Sequence, residues 1–212
     1  GLLTFVGCGT SDEAKDADGY TYKTLIIGEQ EWFAENLKTS KYNDGTSIPN
    51  VTDDREWWDL YSGAWSHYDN DNQYDTIYGK LYNWYAVNTN KLCPTGWHVP
   101  TDAEWTELTD YLVANGHSGT EGTALKSPSG WGDDLNGTDN YGWLGLPGGY
   151  RYFNFYFGLG DFDSIGSYGS WWSSSQDDTG SAWLRSLNDY DDHVYRHLNS
   201  KDYGFSVRCL RD

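Results

Sequence analysis

The stretch Asp69-Asn70-Asp71-Asn72-Gln73-Tyr74-Asp75 places carboxylates at i, i+2 and i+6. Calcium takes several oxygen ligands from such loops, so Asp69, Asp71 and Asp75 are its candidate ligands. The glycine and terminal glutamate of an EF-hand are missing, and the reading preferred is a solvated acidic loop. His193 and His197 stand at i and i+4 beside Asp191 and Asp192. On a strand they share one face, where zinc is conceivable and two surface contact residues are preferred. Ser173, Ser174 and Ser175 follow two tryptophans without the Gly-x-Ser-x-Gly elbow of a hydrolase, and spacing assembles no Ser-His-Asp set. Arg185, Arg196 and Arg208 suit bidentate carboxylate contacts. Their regular places in the chain assign them instead to internal aspartates or backbone carbonyls, outside any site.

The last third of the chain alternates two textures. Fixed-looking residues include Leu146 to Arg151 (Leu-Pro-Gly-Gly-Tyr-Arg), Gly169, Trp171 to Ser175, Trp183 and Gly204 to Cys209. Between them lie Tyr152, Phe153, Asn154, Phe155, Tyr156 and Phe157, then Asp189, Tyr190, Asp191, His193, Tyr195, His197, Leu198, Asn199, Ser200, Asp202 and Tyr203. Tyrosine with serine, asparagine, aspartate and histidine on a rigid support is the composition of a binding surface. Tyr152, Phe153, Tyr156, Tyr190, Tyr195 and Tyr203 are the expected anchors, since interface energy concentrates in aromatics. Asp189, Asp191, His193, His197, Asn199 and Ser200 are expected to set polarity and specificity, and Asn154 and Asp202 complete the expected ligand-binding set. These positions are expected to be mostly exposed and on one face, with Trp105, Trp171, Trp172 and Trp183 buried.

A set of motifs carries a family resemblance. Tyr78-Gly-Lys-Leu-Tyr-Asn-Trp-Tyr-Ala and Leu92-Cys-Pro-Thr-Gly-Trp-His-Val-Pro-Thr-Asp-Ala-Glu-Trp105 come first. Leu146-Pro-Gly-Gly-Tyr-Arg151, Trp171-Trp-Ser-Ser-Ser175 and Gly204-Phe-Ser-Val-Arg-Cys209 follow. Together, over residues 18–212, they resemble the Fibrobacter succinogenes major paralogous domain. The resemblance implies a C-type lectin-like fold in its formylglycine-generating-enzyme-like form. It also implies a variable protein of a diversity-generating retroelement, in which template adenines are randomised and AAC codons become any codon ending in C. Such codons cannot encode Met, Trp, Lys, Gln or Glu, and the variable-looking positions contain none of these. The calcium triplets of sugar-binding C-type lectins, Glu-Pro-Asn and Gln-Pro-Asp, are absent. Formylglycine-generating enzymes need an active-site cysteine pair, and the only late cysteine here is Cys209, so no enzyme is expected. The expected function is binding of a protein or glycan ligand on another cell or host surface. The alternatives are a carbohydrate-binding module and a formylglycine-generating-like enzyme.

Composition narrows the partners. Lys and Arg number 14 against 32 Asp and Glu, for a net charge of −18. Such a chain repels phosphate backbones, which argues against nucleic acid. The apolar run into Gly7-Cys8 resembles the end of a bacterial lipoprotein signal, with residues 9–19 as a polar tether. Cys8 is therefore the expected lipid site, and the expected location is the bacterial surface, as an outer-membrane lipoprotein, or the extracellular space. Cys93 and Cys209 remain, and two cysteines in an exported domain are expected to pair.

The elements that must hold these residues follow from 12 Trp, 18 Tyr, 25 Gly, 5 Pro and no Met over 212 residues. That mix predicts a loop-rich α+β fold with two main helices and small antiparallel sheets. Residues 1–17 are the expected signal remnant and tether, and 18–212 one domain. Residues 18–27 predict a hairpin start turning at Gly28, and 31–37 a short helical turn. One helix is expected over 79–88, with Leu81, Trp84, Tyr85 and Asn88 on one face. The second, over 101–115, has a Thr101/Glu104 capping box and the stripe Trp105, Leu108 and Leu112. Short strands separated by glycine turns are expected from 142 onward.

Overall fold

The computed structural model describes residues 14–132, 135–154 and 159–212. The first half alternates short strands with single helical turns: β1 (Thr24–Ile27), β2 (Gln30–Phe33), α1 (Asp54–Trp58), β3 (Trp65–Ser66), α2 (Asp75–Tyr78), β4 (Leu81–Tyr82), α3 (Trp84–Val87) and β5 (Trp97–His98). Then come α4 (Asp102–Leu112) and α5 (Glu121–Leu125), followed by the long strands β6 (Gly148–Asn154), β7 (Leu159–Ile165), β8 (Tyr168–Gln176), β9 (Ser181–Asn188) and β10 (Tyr195–Ser200). β11 (Leu210–Arg211) ends the chain's regular structure. The architecture is α+β and loop-rich.

Two sheets organise it. One has the order β1-β2-β11-β5, so the last strand lies between β2 and the mid-chain β5. The other has the order β10-β9-β8-β6-β7, antiparallel except for the parallel β6–β8 pair. Cys93 and Cys209 form a disulfide with Cα atoms 5.9 Å apart, tying the segment before β5 to the one before β11. The β1–β2 turn needs glycine twice over. Gly28 has φ +62°, and a Cβ there would meet the Tyr111 ring at 2.8 Å.

The long sheet separates two cores because strand side chains alternate faces. Trp171 and Leu187 face a tryptophan stack with α4, in which Trp32–Trp105 and Trp143–Trp171 ring centroids are 4.9 Å apart. Trp172 and Leu184 face the other way, onto Tyr82, Trp84 and Phe205. Buried indole N–H groups need acceptors. Trp171 donates to Asn36 Oδ1 at 2.8 Å and Trp172 to the Tyr82 carbonyl at 2.9 Å, while Trp105 and Trp143 have no partner.

Three expectations differ from what forms. Residues 79–88 hold only the single turn α3, because Leu81 and Tyr82 pair with β3, Tyr82 bridges to Phe205, and Asn83 caps the turn by accepting from the Ala86 N–H. Residues 30–33 form β2 rather than a helical turn, since Trp32 pairs with Leu210 and the Phe33 N–H donates to the Cys209 carbonyl. Among the described residues there is therefore one main helix, α4, and it carries the expected capping box. Thr101 Oγ1 accepts from the Glu104 N–H at 3.2 Å, and Glu104 Oε2 accepts from the Thr101 N–H at 2.7 Å. Trp183 is also less buried than expected, lying half-buried beneath the Arg196 guanidinium at 3.3 Å.

Candidate functional site

On the side of the long sheet away from α4, the two-residue period aligns Tyr150 and Tyr152 of β6, Tyr168 and Ser170 of β8, Leu184 and Ser186 of β9, and His197 and Asn199 of β10. Tyr203 and Phe205 reach the same face from the C-terminal segment. With Leu198 they line a groove of about 340 Å³. Tyrosines run across it as a belt. Ring centroids are 5.9 Å apart for Tyr190–Tyr168, 6.4 Å for Tyr168–Tyr150, 5.8 Å for Tyr150–Tyr152 and 6.4 Å for Tyr152–Tyr203. The Tyr168 and Tyr190 hydroxyls are bonded at 2.5 Å, and this bond, followed by burial, raises the Tyr168 pKa. Burial raises that of Tyr203 and lowers that of His197, whose ring is partly covered although the residue as a whole is exposed. The groove therefore combines aromatic faces, tyrosine and serine hydroxyls and an imidazole. The Ser186 Oγ is buried there without a hydrogen-bond partner.

The framework beneath is fixed by cations. Arg185 donates to Asp102 Oδ1 at 2.7 Å, and Arg196 to Asp102 Oδ2 at 2.9 Å. Arg208, wholly buried, donates to the Leu144 carbonyl at 2.8 Å and to the Trp143 carbonyl, and stacks on Trp143 at 3.8 Å. Burial pushes its pKa down to about 9. Lys201 Nζ donates to Gln176 and to the carbonyls of Asp178 and Thr179. These are structural partners, as the sequence assigned to the arginines.

A family model described as the Fibrobacter succinogenes major domain matches residues 25–211. The chain belongs to this family. No curated protein matches it. The matched span contains the whole belt and both disulfide cysteines.

Within this Fibrobacter succinogenes major domain the expected site residues divide into groups. Tyr152, His197, Asn199 and Tyr203 come together in the groove, and Tyr190, 60% exposed, continues its rim. Asp191 and His193 belong to a neighbouring loop that is tied to α5, and Tyr195, the first residue of β10 and the partner of Ser186, adjoins it. There the Gly122 N–H donates to the Asp192 carbonyl at 2.7 Å, His193 lies 3.6 Å from Glu121, and Tyr195 OH donates to Asp191 at 2.5 Å. Tyr195 also stacks on His197 at 5.5 Å, which links this loop to the groove. Asp189 departs from the expected exposure: it is buried, 8% exposed, with its carboxylate against Gly132. Phe153 departs from the expected face. It follows Tyr152 on the strand, so it faces the opposite side and stacks on Trp58 at 4.1 Å. Ser200 pairs with Ser181 at the end of β10, and the Asp202 carbonyl accepts from Trp57 Nε1 at 2.6 Å. Asn154 ends β6. Tyr156, Phe155 and Phe157 lie outside the described residues, as does Cys8.

Sequence reasoning missed Tyr150, Tyr168, Ser170, Leu184 and Ser186. Tyr150 stands inside the Leu-Pro-Gly-Gly-Tyr-Arg motif, and no motif marks Ser170 or Ser186. The signal that finds them is the alternation Tyr150/Tyr152, Tyr168/Ser170 and Leu184/Ser186, read as one strand face.

The acidic loop does not assemble a metal site. Asp71 accepts from the Gln73 N–H at 2.9 Å, and Asp75 pairs with Lys80 at 2.8 Å. No group of three or more His, Cys, Asp or Glu able to hold a metal occurs among the described residues. A larger cleft, about 660 Å³, lies between Tyr20, Lys38, Ile77 and Leu144. It contains none of the expected site residues, and its Lys38 ammonium is already bonded to Tyr20, Glu35 and the Thr76 carbonyl. Among the described residues, no helix is long and apolar enough to cross a membrane.

Proposed function

We propose that this domain is a ligand-binding protein of C-type lectin-like fold, displayed on a bacterial surface, whose variable C-terminal face is diversified by a retroelement. The observation that carries the proposal is the tyrosine belt. Five partly exposed tyrosines cross one sheet face, while the opposite face is locked by buried tryptophans and arginine contacts. A binding surface that changes between copies needs this division of labour. Exposed substitutions cost little stability, whereas core truncations cost several kcal/mol of a total of only about 5–15. Support for the fold comes from the pairing of the first hairpin with the last strand, sealed by the disulfide.

Two measurements test this reading. Tyr190→Ala and His197→Ala should each change the unfolding free energy by about 1 kcal/mol or less, and Trp172→Ala should lower it by about 3–5. Denaturant melts with the first two as costly as the third would mean that the belt is framework. The DNA beside the gene should carry a near-copy of the C-terminal coding region with AAC at the codons for Tyr152, Tyr190, Tyr195, His197 and Asn199, next to a reverse transcriptase. A chromosome without either removes the diversified reading. Surface display is proposed to run through a lipid on Cys8. Mass spectrometry of the native protein should find Cys8 acylated as the first residue, and an unmodified Cys8 in a membrane fraction rejects it.

A further inference from the structure

We propose that the tyrosine groove receives a lysine or arginine side chain from a basic segment of a partner protein. This rests on the reading of that face as the binding surface and names what it recognises.

The geometry of the rings comes first. Tyr150 meets Tyr152 at an interplanar angle of 75° and Tyr168 at 83°. Rings set steeply to one another make the walls of a box, not the flat platform on which a sugar ring stacks. A cation within about 6 Å of several ring faces is attracted by each of their quadrupoles, and cages of this shape are how proteins hold ammonium groups.

Charge comes second. Among the described residues no lysine or arginine lines the groove, and burial lowers the His197 pKa. The carboxylates acting on its tyrosines are Asp189 at Tyr168 and Asp202 at Tyr203. Elsewhere the chain covers its aromatic faces with its own cations: Arg196 over Trp183 at 3.3 Å, Lys201 over Trp84 at 4.6 Å and Arg151 over Trp57 at 4.4 Å. Among the described residues none of these cations lies over Tyr150, Tyr168 or Tyr203. The net charge of −18 draws a basic partner toward the surface before any contact is made.

An acceptor on the floor comes third. Ser186 is 3% exposed, and its Oγ has no partner. A buried hydroxyl left unpaired is costly, and its lone pairs suit an incoming N–H donor. Ser170, also 3% exposed, lies beside it on β8.

The test is a ¹H–¹⁵N titration of the 212-residue protein with acetyl-Gly-Arg-Gly-amide and acetyl-Gly-Lys-Gly-amide. The control is the citrulline peptide, which keeps the shape of arginine and removes its charge. The cationic peptides should shift the Ser170 and Ser186 amide signals, with citrulline about tenfold weaker. Tyr168→Phe should retain binding because the ring face remains, and Tyr168→Leu should lose it. Should the leucine variant fail to fold, the arginine–citrulline comparison on the unaltered protein still decides. Equal shifts from citrulline, or no groove shift from either cationic peptide, overturn the proposal. In that case methyl galactoside and methyl mannoside separate the two readings. Groove shifts from a glycoside leave the face a binding surface with a different ligand, and no groove response to any probe counts against both.

Discussion

Replacing Cys93 and Cys209 together by alanine should lower the unfolding free energy by about 2–5 kcal/mol. The bond closes a sequence separation of 116 residues, and for a loop that long the chain-entropy account gives about 5 kcal/mol. Cys93 is 3% exposed and Cys209 not at all, within the core that holds Phe33, Trp97 and Val207. The removed sulfur atoms therefore also leave a packing defect, which adds to the loss. For a protein of this size the melting temperature should fall on the order of 10 °C. Because both sulfurs are buried, a reductant at room temperature should act slowly on the folded protein and quickly once it is opened. A double variant that melts within a degree or two of the parent would mean that the paired strands β2, β11 and β5 hold the chain ends together without the bond.

The sequence made some of this visible for identifiable reasons. Helix α4 was legible because Thr101, Glu104 and the stripe Trp105, Leu108, Leu112 all lie within one short segment. Residues 79–88 mimic the same helical spacing, yet Tyr82 is claimed by Phe205, a partner more than a hundred residues away, and no local pattern announces that. The same holds for Trp32 and Leu210. The disulfide was readable from cysteine count and the expectation of export. The site was half readable. Composition singled out Tyr152, His197, Asn199 and Tyr203, because tyrosine, histidine and asparagine stand out between fixed motifs. Composition says nothing of which side of a strand a residue faces, so Phe153 was grouped with Tyr152, its neighbour on the opposite face. Nor does it report burial, so Asp189 looked like surface filler. Tyr150, Tyr168 and Ser186 were hidden because their neighbours in space come from four different strands.

Asp102→Ala should lower the unfolding free energy by about 3–5 kcal/mol. Asp102 opens α4 and is the shared acceptor of two arginines, of which Arg185 is 3% exposed at its side chain and Arg196 46%. The exposed Arg196 contact contributes little alone. The loss comes from Arg185, which would remain charged and buried with no carboxylate to answer it. Its Nη2 would keep only the Asp102 carbonyl at 3.0 Å and Thr106 Oγ1 at 3.0 Å. Burial raises the Asp102 pKa, but hydrogen bonds and charge from Arg196 and Arg185 outweigh it and hold the carboxyl below its ordinary value. The sign then follows. A carboxyl whose pKa is depressed on folding adds stability that is fully present above the unfolded value, near 3.9, and is lost as pH falls through the folded one. The penalty of Asp102→Ala should therefore be level from pH 7 to about 5 and shrink on further acidification, as the parent loses what the variant never had. Asp102→Asn, which keeps the shape and removes the charge, should cost less than the alanine change and show the same pH trend. Urea melts at pH 7 and pH 3 measure both. A penalty that does not change between them would place the loss in helix capping and packing, with no share for the buried ion pair. The tyrosine groove provides an independent readout, since β9 carries Arg185 on one face and Ser186 on the other. If Asp102 holds the strand in place, the Asp102→Asn variant should broaden the Ser186 amide signal even where it remains folded.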